Sequence, residues 1–336
     1  SASIGMNHPC RETRARAGRA TLLGLCVGTP ILFGGLLFAA QFAFASLPPV
    51  PTPPENPFSE EKRVLGKILF FDEQLSTSNV VSCASCHVSA NGGADPRLAR
   101  NPGDDNTLNT PDDILGSPGI LRADENDDYE ADPVFALRPQ VTDRSANTPI
   151  NAAYAPALFW DGRAPGQFID PQTGLAAIVA GGALESQAVA PIVNNVEMAH
   201  AGVDWSDVAG RLALVRPLDL ATGHPADVAA ALTGRPSYPE LFRRAFGDTE
   251  VSAARIAFAI ATYERTLVSD QSPWDSFQAG DTTALTPQQQ QGFVEFQARH
   301  CNDCHTAPFF TGFGFRNIGL RPTAEDNGLQ GTTGNV

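Results

Sequence analysis

The sequence predicts a mainly α-helical chain folded as two related modules with long loops. Three observations carry this. Apolar residues recur at helical spacing in several segments, whereas strand-like alternation is scarce. The 30 Gly and 27 Pro concentrate between those segments, as long irregular connections require. A helical segment leading to Cys-x-x-Cys-His occurs twice, ending at His87 and at His305. The hydrophobic fraction, 42%, is ordinary and sufficient for a core. A net charge of −14 argues against nucleic acid as a partner, because phosphate binding needs a basic face.

Residues 1–45 read as a signal peptide or N-terminal anchor. Arg11, Arg14, Arg16 and Arg19 form a basic start, Thr21 to Ala40 is uncharged, and Ala43-Phe44-Ala45 offers a cleavage site before Ser46. If the run were left uncut it would be the chain's one contact with a membrane. Residues 46–57 are a Pro-rich linker, expected to be extended and semi-rigid. From Ser59 to Phe71 a helix is expected, with Ser59 as cap and Val64, Leu65, Ile68 and Leu69 on one face. Residues 101–132 hold ten Asp or Glu against the single Arg122 and read as a solvated loop, since their spacing does not match an EF-hand. Val251 to Leu267 is expected to be helical. A further helix starts at Thr286, with Pro287 in its first position and Gln289 completing a capping box; Phe293 and Phe296 share its inner face. The resulting modules are 58–230 and 231–336, one Cys-x-x-Cys-His in each.

The two motifs carry the chemistry. Cys83 and Cys86 can each form a thioether to one vinyl group of a haem, and His87 follows as proximal iron ligand; Cys301, Cys304 and His305 repeat the set. The competing readings are a zinc site and a redox dithiol. The two pairs lie too far apart in sequence for the usual zinc spacing, and a dithiol does not call for the adjoining His. The remaining cysteines, Cys10 and Cys26, fall in the leader, so none is left for a structural disulfide in the mature chain. His200, His224 and His300 are expected on loops or the surface. Met6 and Met198 are the only methionines, so two irons cannot both take a Met as sixth ligand.

Four stretches together resemble the bacterial di-haem cytochrome c peroxidase family, which includes the MauG-type enzymes: LGKILFFDEQLS with SCASCH, RSANTPINAAYAPALFWDGRA at 144–164, LESQAVAPIVNNVEM at 184–198, and CNDCHTAPFFTGFGFRNIGL. The resemblance implies two cytochrome c-like haem domains with a calcium ion between them. It implies an oxidoreductase of the periplasm that reduces hydrogen peroxide, with electrons from a small cytochrome c or cupredoxin, and a family that is often a homodimer. It assigns the peroxide site to the first haem and electron entry to the second. By motif position Glu197 would be the acid/base, Gln187 a hydrogen-bonding partner in the same pocket, Trp160 a relay between the haems and Asn147 a calcium ligand. The bottom-up chemistry agrees for Glu197, because O–O cleavage needs a proton moved between the two oxygens. The alternatives are a MauG-like oxidase acting on a protein substrate and a non-catalytic di-haem electron carrier.

The sequence also departs from the family. Residues 165–183 look like an insertion. No His lies between His87 and His200, so the first haem is expected to be five-coordinate at rest. Only 31 residues follow His305, none of them Met or Tyr. The resemblance places the sixth ligand of the second haem, Met or in MauG Tyr, well after this motif, so it is expected in a segment beyond Val336, with the second domain truncated; if the chain ends there, the second haem lacks its usual sixth ligand.

Overall fold

A computed structural model describes residues 47–319 and 327–334; the expected leader lies outside them. In chain order the helices are α1 (Glu60–Phe71), α2 (Cys83–Cys86), α3 (Ala183–Val189), α4 (Trp205–Leu214), α5 (Ala226–Ala231), α6 (Tyr238–Phe246), α7 (Ala253–Glu264), α8 (Pro273–Gln278), α9 (Pro287–Ala298) and α10 (Leu329–Thr333). Strands are confined to two antiparallel pairs, β1 (Ala99–Asn101) with β2 (Ile114–Gly116) and β3 (Phe168–Ile169) with β4 (Ala176–Ile178). The mainly helical class is as the sequence predicts. No helix among the described residues is long and apolar enough to cross a membrane.

The core is the crossing of α1 and α7. Ser59 caps α1, its Oγ accepting from the Lys62 amide at 3.2 Å. The predicted apolar face, Val64, Leu65, Ile68 and Leu69, is buried against Ile256, Ala259 and Ile260 of α7. Each such Leu or Ile contributes about 1.5–3 kcal/mol relative to exposure. The small side chains of α7 let the backbones approach closely. At Gly66 an added Cβ would lie 1.8 Å from the Ala259 carbonyl oxygen, so the crossing requires glycine there. Helix α3 also packs on α7. Because α7 belongs to the core around the first motif, helix packing bridges the expected division after residue 230.

Asp72, just past α1, closes the other end. It is buried and accepts from the Tyr238 hydroxyl (2.6 Å), the Leu218 amide (2.7 Å) and the Gln74 amide (2.9 Å), joining α1 to α6. Helix α6 has the full capping box of Ser237 and Glu240 and ends on Gly247 at φ +98°.

Three loop segments position the site. The Pro-rich stretch is docked rather than free: Asn56 is buried, donating to Glu185 Oε1 at 2.8 Å and to the Phe258 carbonyl at 3.0 Å. Residues 101–132 are irregular, and their carboxylates mostly cap turns, as Asp105 does for Thr107 and Asp124 for Asn126 and Asp128. Among the described residues no group of three or more His, Cys, Asp or Glu is arranged to hold a metal ion. The 165–183 stretch folds into the β3–β4 hairpin, which the scarce strand signal did not foretell. Phe168 and Ile178 face inward, with Ile169, Leu175 and Val179 exposed.

Candidate haem sites

Helix α2 is one turn long and begins with a reciprocal Ser82–Ser85 capping box. Its turn sets Cys83 and Cys86 three residues apart, hence on one face. His87 ends the helix with Nδ1 3.2 Å from the Gly93 carbonyl oxygen. Nδ1 then carries the hydrogen and donates, which leaves the Nε2 lone pair for a metal. The turn that supplies this carbonyl needs glycine: Gly93 has φ +81°, and a Cβ there would meet Pro149 Cδ at 2.7 Å. Burial lowers the His87 pKa, favouring the neutral, ligating form. Burial likewise pushes both thiols up, Cys86 to about 11.

All three residues line a cavity of about 450 Å3. Phe70, Val81, Met198 and Ile260 give it apolar walls. Two thiols, an imidazole fixed at Nδ1 and an apolar chamber are what a covalently attached haem requires, so the residues fit the group.

The same cavity is lined by Asn147, Trp160, Gln187 and Glu197. Three of the four stretches, the first-motif segment, 144–164 and 184–198, thus converge on one chamber, which the second motif's segment does not line. Glu197 is placed by a turn in which Asn194 Oδ1 accepts from the amides of Val196 (2.8 Å) and Glu197 (3.1 Å). The turn is held by the Ile120 amide donating to the Val196 carbonyl and by Gln140 Nε2 donating to the Asn195 carbonyl. Burial raises the Glu197 pKa, Arg163 partly offsets this, and Asp143 adds to the rise. A buried carboxyl facing the cavity can take up and return a proton there. Gln187 reaches the cavity from α3. Trp160 is 60% exposed at the cavity mouth, and a Cβ at Gly328 would be 3.5 Å from its Nε1. Asn147 stands at the cavity. None of His200, His224 and His300 reaches the cavity, whose lining holds His87 as its one imidazole.

Two further groups escaped the sequence reading. Arg163 packs 3.8 Å over the Phe159 ring and shares Asp161 with Arg144, each at 3.0 Å. Phe159 itself has φ +70°, a strained conformation for a bulky residue, at the turn that carries Trp160. Glu264, the last residue of α7, is 4% exposed and lines the cavity. Burial and then the Glu185 carboxylate raise its pKa to about 8, against the opposing effect of Arg265. A lone acidic residue at the end of an otherwise apolar helix was the available signal.

The second motif repeats the first in chemistry. Helix α9 has the predicted capping box, the Thr286 amide donating to Gln289 Oε1 at 2.8 Å. It leads to Cys301, Cys304 and His305, whose Nδ1 lies 3.0 Å from the Phe310 carbonyl oxygen, again leaving Nε2 for iron. Trp274, Phe293, Phe296 and Phe310 cluster beside it. Unlike the first set, Cys301, Cys304 and His305 are exposed. The Phe309 ring packs 4.5 Å from Tyr154, which brings the second motif's segment against the first cavity's loop.

Residues 60–283 match the sequence profile of the di-haem cytochrome c peroxidase family. The methylamine utilization protein MauG of Methylophilus methylotrophus is 31% identical over 305 residues, covering 86% of this chain and 68% of that protein. A cytochrome c551 peroxidase of Nitrosomonas europaea is 29% identical, covering 90% and 70%. That of Pseudomonas aeruginosa is 31% identical, covering 79% and 56%, so the chain spans little more than half of that relative's length. Among solved structures, a MauG-like protein associated with microbial copper homeostasis superposes with TM-score 0.54 at 22% identity, over 86% of this chain and 69% of that one. The profile match spans both the first haem cavity and the helices that frame it, and with these relatives it establishes that the chain belongs to the di-haem cytochrome c peroxidase family, oxidoreductases with two haem c groups.

Proposed function

We propose that the protein is an exported di-haem peroxidase that reduces hydrogen peroxide to two waters, consuming two protons and two electrons from a small redox protein. The observation that carries the reading is the meeting of Glu197 and Gln187 with the His87 cavity. When bound, the two haems would hold one oxidising equivalent each while the reducing electrons arrive singly. The chain's own residues do the rest. Glu197 takes the proton from the nearer peroxide oxygen and returns it to the leaving one. Gln187 orients the peroxide, and the apolar walls exclude competing water. Trp160, exposed at the cavity wall, serves as the relay. Among the described residues His87 is the one imidazole that lines the chamber, as an iron position open to peroxide at rest requires.

Localisation in the periplasm, a calcium ion near Asn147, a cytochrome c or cupredoxin donor and a homodimer belong to this proposal through the family resemblance. Relatives named MauG favour a second reading, an oxidase acting on a protein substrate. The deciding experiment is peroxide-dependent oxidation of a reduced small cytochrome c by the haem-loaded protein beside Glu197→Gln. Turnover that collapses in the variant supports the peroxidase. No turnover in either, with both haems attached, would overturn it in favour of the oxidase or an electron carrier.

A further inference from the structure

Beside the haem cavity lies a second, small chamber of about 20 Å3, lined among others by His87, Asn147, Ala152, Gln187 and Glu264. That volume admits one water molecule. Its wall is polar enough to hold one: Gln187 and Asn147 bring amides, and Glu264 brings a carboxyl. Glu264 Oε2 is buried and has no hydrogen-bond partner in the protein. An orphaned buried carboxyl oxygen destabilises the fold unless something else satisfies it. The neighbouring guanidinium of Arg265 does not, because it is committed to Glu185 at 2.7 and 3.0 Å.

We propose that Glu264 is a positioning residue of the first haem site, holding through its Oε2 hydroxyl a single buried water shared with Gln187. The water hands the hydrogen bond from α7 to the Gln187 amide, and so fixes the side chain that faces the peroxide position. The Glu264 carboxyl is the neutral donor in this arrangement. Burial and the Glu185 carboxylate on α3 keep it protonated; Arg265 opposes this, and Cys83, His87, Asp143, Arg144, Arg163 and Glu197 are the other titratable groups on the surrounding walls. The proposal rests on the reading of the cavity as the first haem's site, and not on the peroxidase activity.

The test compares Glu264→Gln with Glu264→Met in the haem-loaded protein. Gln keeps a donor of the same length; Met keeps the volume and removes it. The resting EPR spectrum of the first haem is read first, because it needs no turnover. Gln is expected to preserve that spectrum, and Met to change it and lower peroxide turnover by about tenfold, as losses of supporting hydrogen bonds around metal ligands do. Should Met prevent haem attachment, Ala152→Val fills the small chamber from another wall and is expected to reproduce the altered spectrum. A wild-type spectrum in Met or in Ala152→Val overturns the water site. A Gln variant as altered as Met, with both haems attached, overturns the neutral donor. Loss of turnover in wild type with these spectral differences intact would sink the peroxidase reading alone.

Discussion

Glu185 and Arg265 meet fork to fork, 2.7 Å and 3.0 Å apart at their two contacts, with both side chains almost wholly removed from water. The pair joins α3 to the end of α7, so it holds the Gln187 helix against the haem cavity. Removing one partner leaves the other charge buried and unpaired. Arg265→Met is expected to cost about 3–5 kcal/mol, read as a lowered denaturant midpoint of the haem-loaded protein. The double variant Glu185→Met/Arg265→Met is expected to recover much of that loss; a double variant as unstable as the single one would contradict the account.

Gly66 gives a second prediction. Alanine there would drive a methyl into the Ala259 carbonyl, and helix backbones cannot yield by that much without separating. Gly66→Ala is expected to cost at least about 2 kcal/mol, within the range for overpacking in a filled core. Gly210, where an added Cβ meets nothing within 4 Å, is the control: Gly210→Ala should be neutral or stabilising in the same melt.

A third concerns acid. Partial burial raises the Asp227 carboxyl, but hydrogen bonds from Arg63 and Lys67 outweigh it and hold the pKa at about 2. The folded state thus binds fewer protons than the unfolded one between the ordinary value of 3.8 and about 2. The stability Asp227 contributes is present above that window and is lost as pH falls through it. Asp227→Asn should therefore lower stability near neutrality and flatten the acid limb of the melting profile. An unchanged acid limb would remove Asp227 from the explanation.

Haem stoichiometry supplies the fourth. Cys301→Ala/Cys304→Ala should retain one haem by mass, bound at Cys83 and Cys86, because the first cavity is built without any residue of the second motif. Loss of both haems would mean that the two sites fold as one.

The fifth is the magnitude for Glu197. Positioned proton transfer is worth roughly 10²–10⁴-fold, so Glu197→Gln should lower turnover by that factor with haem content unchanged. A change below threefold would remove Glu197 from the chemistry.

What the sequence made legible was what depends on short spacing. The α1 face, the Thr286–Gln289 box and both Cys-x-x-Cys-His turns are local patterns, and each is present. The resemblance added Asn147, Trp160, Gln187 and Glu197, and these do line one cavity. Less legible were features set by distant partners. Glu264 looks like any helix-end acid until α3 supplies Glu185 and takes Arg265 away. The β3–β4 hairpin is only two and three residues deep, too short for an alternating pattern, and its pairing is fixed by packing of Phe168 and Ile178. The docking of the Pro-rich stretch depends on Asn56 finding Glu185 far along the chain, which no local pattern encodes.

That docking gives the stretch a mechanical role. The Pro51 carbonyl takes a hydrogen bond from Arg265, Asn56 grips Glu185, and Lys62 reaches back to Asn56 and the Pro57 carbonyl. A pull on whatever precedes Pro51 would not be absorbed by a slack tether. It would be transmitted to the residue next to Glu264, one peptide bond from the haem chamber. The stretch is a mooring line made fast beside the haem cavity, and cutting it at residue 57 would loosen the mooring and the cavity wall together.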